Sequence, residues 1–332
     1  MAHKGFRSAI RVMTAVFFAF AMTLAFVPAA ANAAPETDAD SRVSLISPTD
    51  EPRFQADDLD AYWTPERMAS AKFPEVEETA PDLDAFQDLD LGETQLVEPV
   101  LPDSEFASPK IDHSYATGRI FYDDFNGDPS SCSASALASG NQSLVLTAAH
   151  CLYGPYDDPA GWSSNVVFVP GYDNGYEPNG TWTADYFTQT VLTSWADDGD
   201  VNRDVGMFLV NTNSSGQTLN QVVGGHGFAT GQGYEVDLHT IGYPANHDNN
   251  EVQWHCWGQS ESAGLFDDRI QMNCNFSHGA SGGPWLLEYS ASYPGLGLAN
   301  GTQSTWRSSD GRNLSGYFDD VIWDFYTQMS AL

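Results

Sequence analysis

The chain has 332 residues and a formal net charge of −32, from 13 Lys and Arg against 45 Asp and Glu. That balance excludes attachment to nucleic acid or anionic lipid through a basic surface. Beyond residue 33 the only lysines are Lys72 and Lys110.

Residues 1–33 read as a secretory signal peptide. Lys4, Arg7 and Arg11 give a positive start, Thr14 to Val27 an apolar run, and Ala31-Asn32-Ala33 small residues for cleavage after Ala33. The run is short for a bilayer span, and no later segment is apolar for long enough. The expected product is secreted, extracellular and free of the membrane once the signal is removed.

Residues 34–109 differ in texture. Stretches such as Asp57-Asp58-Leu59-Asp60 and 82–90 mix acids with spaced apolar residues. The composition predicts an acidic propeptide, partly disordered and partly helical. Thr64-Pro65-Glu66-Arg67-Met68-Ala69 fits a helix start, with Thr64 as N-cap and Pro65 in the first turn. A flexible acidic linker is the plainer alternative. Cleavage is expected between Glu105 and Lys110.

From residue 110 to 332, short Val-, Ile-, Phe- and Thr-rich runs alternate with Gly, Asn, Asp and Pro clusters. Strands are expected at Gly118–Tyr122, Leu144–Thr147, Val166–Val169, Thr188–Leu192, Val205–Val210, Glu235–Ile241 and Trp285–Glu288. Many short strands with frequent turns predict an all-β barrel or sandwich, and the length suits two small barrels. Phe318, Val321, Ile322, Phe325 and Tyr326 are spaced for one C-terminal helix over 315–329.

Four cysteines in an exported chain favour disulfides over metal. Of three possible pairings, Cys132–Cys151 with Cys256–Cys274 closes the shortest loops. The chain has no Cys-x-x-Cys pair and no His-Glu-x-x-His helix, so neither metal nor cofactor is expected. Asp123-Asp124-Phe125-Asn126-Gly127-Asp128 reads as an acidic turn, since it lacks the spacing and closing glutamate of a calcium loop.

Three stretches carry chemistry. Leu144–Cys151 is an apolar strand that ends in small residues and then His150, which a Cys132–Cys151 bridge would pin for work as a general base. Asn202–Val210 puts Asp204 at the mouth of an apolar strand, where a carboxylate can fix a histidine tautomer. His278-Gly279-Ala280-Ser281-Gly282-Gly283-Pro284 suits a tight loop that presents a hydroxyl and bare amides to a developing oxyanion.

These blocks, in the order His150, Asp204, Ser281, resemble the three signatures of the trypsin/chymotrypsin-like serine proteases; subtilisins and α/β-hydrolases use other orders. The wider pattern is nearest secreted bacterial members, including the glutamyl endopeptidase branch, with Gly118–Phe121, Cys132–Ser135 and Ile241–Pro244 contributing. The resemblance implies two six-stranded antiparallel β-barrels. It implies Ser281 as nucleophile, His150 as base and then acid, Asp204 as orienting carboxylate, and the amides of Gly279 and Ser281 as oxyanion hole. A monomeric endopeptidase acting on polypeptides is the implied function. A catalytically silent binding protein is the competing reading, which intact His150, Asp204 and Ser281 argue against.

Ala280 stands where digestive members carry an aspartate for a new N-terminal ammonium. Activation is therefore expected by uncovering the cleft or maturing the fold. Counting back from Ser281 puts Asn275 at the base of the specificity pocket and His278 on its rim, with no carboxylate for Lys or Arg. Aligning the strand after the serine with Leu298–Gly301 makes Asn300 and Gly301 the partners of the substrate backbone. No histidine stands there, unlike in glutamyl members.

Overall fold

The computed structural model describes residues 43–74, 91–103, 113–154, 161–264 and 267–332. The predicted signal peptide (1–33), the acidic stretch 82–90 and the expected cleavage region at 105–110 lie outside these residues.

The structure is mostly β-sheet with few helices, and it has the chymotrypsin-like arrangement that the resemblance implies. One eight-stranded sheet runs in the order Leu45–Ile46, Thr190–Leu192, Gly206–Leu209, Leu144–Thr147, Pro129–Ala136, Thr117–Asp123, Ser164–Pro170, Trp182–Thr183. A six-stranded sheet runs Trp254–Gln259, Asp237–Gly242, Pro284–Ser290, Leu296–Thr302, Gly227–Thr230, Gln95–Val97. A four-stranded sheet joins Glu261–Gly264, Asp267–Asn273, Arg312–Ser315 and Thr305–Arg307. The pairings within these sheets are antiparallel except for Gly227–Thr230 against Leu296–Thr302.

Apolar clusters follow the strands. One gathers Ile120, Val145, Phe168, Val191, Phe208 and the Cys132–Cys151 pair. A second unites Leu144, Leu146 and Met207 with Phe228, Ile241 and Leu286 of the second half. The apolar stripe of the C-terminal helix, Ile322, Phe325, Tyr326 and Met329, seals it, and Phe228 stacks on Tyr326 at 4.3 Å. The helix spans Asp320–Ala331, later than the sequence spacing predicts. Asp319 caps it by accepting from the amides of Val321 and Ile322, and residues Arg312–Ser315 are claimed by a strand.

The described parts of the acidic segment are integrated into both halves. Leu45 and Ile46 extend the eight-stranded sheet along Leu192 and Val191. Gln95–Val97 extends the six-stranded sheet along Phe228–Thr230. The helix Pro65–Ala69 forms as the sequence predicts, with Thr64 Oγ1 accepting from Arg67 N. Trp63, Met68 and Ala71 are buried against Phe121, Val167, Tyr172 and Tyr243. The predicted partial disorder does not extend to these stretches. Trp63, Met68 and Ala71 supply the apolar part of that docking.

Candidate active site

Two strands set the pair of His150 and Asp204. Leu144–Thr147 and Gly206–Leu209 are antiparallel with Gly206 opposite Thr147, so the residue three after Thr147 and the residue two before Gly206 emerge at the same end. Those residues are His150 and Asp204. Gly206 permits the approach, because a Cβ there would meet Leu152 Cδ1 at 2.9 Å and Ala148 O at 3.1 Å.

His150 donates twice to Asp204, from its backbone amide to Oδ1 at 2.9 Å and from Nδ1 to Oδ2 at 2.8 Å. A carboxylate only accepts, so Nδ1 carries the proton and Nε2 is the basic nitrogen. Nε2 is buried and has no hydrogen-bond partner among the described residues. Ser304 Oγ donates to Asp204 Oδ2 at 2.6 Å. Asp204 is fully buried, which by itself raises its pKa. The attraction and hydrogen bonds of His150, with the bond from Ser304, outweigh that and hold the carboxyl below its usual range. The Cys132–Cys151 disulfide is formed beside His150, and Trp195 packs 6.3 Å from the imidazole. Cys256–Cys274 is formed as well.

The Ser281 loop rests on the same strands. Ser133 donates its amide to Ser281 O at 2.7 Å and its hydroxyl to Gly279 O at 2.8 Å. Gly282 has φ +82°, and a Cβ there would stand 2.2 Å from Thr147 Oγ1 and from Ser133 O. Gly279 has φ +88°, with Tyr243 O only 2.6 Å from a virtual Cβ. The glycines thus let the loop lie flat against Thr147–Ala148, the approach to His150. Ala280 is buried against Gly242 and carries no charge.

The four specificity residues fare unequally. Asn275 is exposed, so it is not the floor of a pocket. Its Oδ1 accepts from Trp306 Nε1 at 3.2 Å, and the half-buried His278 sets its ring edge-on to Trp306 at 5.7 Å. Asn300 and Gly301 lie within the six-stranded sheet. Asn300 is buried and its amide donates to Ala229 O, while Gly301 pairs with Trp285. These two are therefore removed from the substrate-pairing role. The alignment that chose them stops short of Ser304, the residue that reaches Asp204. A search for a hydroxyl after the serine loop, in Gln303-Ser304-Thr305, would have found it. Asp123-to-Asp128 is a hairpin turn in which Asp124 Oδ1 accepts from Asn126 N and Asp128 N.

No protein-family model matches the chain. An extracellular metalloprotease of Bacillus subtilis (strain 168) is 32% identical over 90 residues, which is 27% of this chain and only 26% of that protein. Solved structures match far more. Protease Anisep from Arthrobacter nicotinovorans is 30% identical, over 67% of this chain and 99% of that one, with a TM-score of 0.59. The thermostable serine protease AL20 from an extremophilic microorganism is 29% identical over 66% and 98%, also at 0.59. A Glu endopeptidase, 18% identical over 71% and 98% with a TM-score of 0.54, shares the fold. The chain belongs to the chymotrypsin-like serine proteases.

Proposed function

We propose that this chain is a secreted serine endopeptidase, made with a signal peptide (1–33) and an acidic propeptide (34–109), that hydrolyses peptide bonds through an acyl-enzyme. Ser281 Oγ attacks the scissile carbonyl carbon as His150 Nε2 takes its proton. The amides of Gly279 and Ser281 receive the oxyanion. His150 then gives the proton to the leaving amine, and the acyl group stays on Ser281 as an ester. Water, deprotonated by His150, cleaves that ester and restores the serine. Asp204 keeps the proton on Nδ1 throughout and stabilises the imidazolium. Three cations of the disulfide-bearing region, Arg119, Arg203 and Arg269, are all committed to carboxylates, so none is offered to an acidic side chain of a substrate.

The observation that carries this reading is the doubly held His150–Asp204 pair, with its basic nitrogen unpartnered next to a glycine-rich serine loop. Two disulfides and the signal-like start support export. Among the described residues no helix is long and apolar enough to cross a membrane. The protein acts as a monomer on polypeptides, without cofactor or nucleic acid. Nothing in the structure favours a silent binding protein. A fluorophosphonate should label Ser281 in processed material, and peptide hydrolysis should be lost on labelling. A folded, processed sample that takes no label overturns the proposal.

A further inference from the structure

Asp204 sits at the apex of a tight turn. Its backbone has φ −73° and ψ 62°, and Val205 N donates to Arg203 O at 2.7 Å. Those angles and that bond make an inverse γ-turn. A turn closed by a single bond is soft, so the aim of its central side chain depends on how its two ends are held. The strand Gly206–Leu209 holds the far end. Arg203 holds the near one.

Arg203 grips Asp319 with both arms of its fork: Nη1 donates to Oδ1 at 2.9 Å and Nη2 to Oδ2 at 2.7 Å. The pair is largely buried, with 19% of the arginine side chain and 8% of the aspartate side chain exposed. A bidentate pair of this kind fixes orientation as well as distance. Asp319 is itself fixed, because Oδ1 also accepts from Val321 N and Ile322 N at the start of the helix Asp320–Ala331. The apolar stripe of that helix is sealed into the core. Gly316 touches the same turn from behind, since a Cβ there would stand 2.4 Å from Asn202 O. Two residues earlier, Leu314 O accepts from Ser304 N at 2.9 Å. The stretch 314–319 therefore holds both Ser304 and the turn that carries Asp204, the two groups that meet at Asp204 Oδ2.

A comparable pair lies elsewhere. Arg67 and Tyr62 both bond the buried carboxylate of Asp123, at 2.7 and 2.5 Å, yet none of these three adjoins His150, Asp204 or Ser281 in the chain. Arg203 directly precedes Asp204.

We infer that Arg203 and Asp319 are positioning residues for Asp204, and that through them the C-terminal helix belongs to the frame that orients His150. This rests on the proteolytic reading and extends it to residues remote from the substrate.

The test uses secreted, processed protein as wild type, Asp319→Asn, Arg203→Met and the double variant. Asparagine caps a helix as well as aspartate does, so Asp319→Asn keeps the cap and removes the charged partner. Fluorophosphonate titration counts active sites, and kcat and KM on a peptide are taken per counted site, below the melting temperature of each variant. Each single variant should lower kcat about tenfold with KM within about twofold, the signature of a misaimed catalytic group. The double variant should lose no more than the worse single one, because the two residues act as a unit. Arg203→Lys, which keeps the charge and loses the fork, should recover only part of the loss in Arg203→Met. Unchanged kcat per site in folded variants, a loss seen only as fewer counted sites, or additive losses in the double variant overturn the inference. Absence of label in wild type would instead sink the proteolytic reading. If Arg203→Met fails to fold, Asp319→Asn and Arg203→Lys carry the comparison.

Discussion

Ser304 and His150 share one oxygen of Asp204: the serine hydroxyl lies 2.6 Å from Oδ2 and the imidazole Nδ1 2.8 Å from it. The carboxylate is therefore aimed from two sides, one of them the short link between the strands Leu296–Thr302 and Thr305–Arg307. Ser304→Ala should lower kcat about tenfold, the scale of one hydrogen bond to a charged group. It removes a contact that favours the ionised carboxylate, so the Asp204 pKa rises and the acid limb of the rate profile moves to higher pH. A pH–rate profile beside a thermal melt checks this. An unmoved limb would leave Ser304 a packing residue.

Loss of the proposed nucleophile, Ser281, should be the most severe change. Ser281→Ala should reduce kcat on the order of a millionfold, and Asp204→Asn about ten-thousandfold through the wrong tautomer. Both variants should fold, since Ser281 engages its neighbours through its carbonyl and an asparagine is nearly isosteric with aspartate. Steady-state kinetics with circular dichroism decides. Activity of Ser281→Ala within tenfold of wild type would remove it from the mechanism.

The Cys132–Cys151 bridge spans 19 residues and holds His150 to the strand under Ser281. Replacing both cysteines by serine should cost about 3 kcal/mol on the chain-entropy account. That corresponds to a fall in Tm of roughly 6–12 °C. The activity remaining below the new Tm should drop too, because the base loses its tether. Calorimetry and kinetics on the double variant test both parts.

His226 gives the fold an acid sensitivity separate from catalysis. It is buried, with Ser114 and Thr117 hydroxyls at Nε2 and the Gly297 amide donating to Nδ1. Burial pushes its pKa down to about 3. The unfolded chain binds a proton below about 6.5 and the folded chain does not. Stability is thus complete above about 6.5 and declines as pH falls toward 3, by up to about 1.4 kcal/mol per pH unit from this group. Urea melts of wild type and His226→Gln between pH 4 and 7 should converge toward the acid end. Parallel curves would contradict the assignment.

How much of this was legible differs by element. Leu144–Thr147 announces itself through four consecutive apolar or β-branched residues, and the three catalytic candidates sit in motifs that residue types define. Pro129–Ala136 does not, because Pro-Ser-Ser-Cys-Ser-Ala-Ser-Ala has almost no bulk to reveal a strand. Its small side chains are what allow Ser281's loop to come so close. Asn300 and Gly301 were misplaced for a similar reason: Leu-Gly-Leu-Ala-Asn-Gly-Thr gives no landmark, so the register ended a few residues before Ser304. The docking of the acidic segment was hidden by composition, since Trp63, Met68 and Ala71 are scattered among acids and become a face only when the helix Pro65–Ala69 forms.

The Asp123 carboxylate, sealed under Tyr62 and Arg67, bears on how the enzyme can be manufactured. A gene shortened to start at residue 113 would leave that anion facing Asn165 without its guanidinium and phenol, and would bare the apolar slot of Trp63 to water. Yield in the culture medium should fall steeply. Supplying residues 34–109 from a second gene should restore it, because Tyr62, Trp63 and Arg67 would again cover that site.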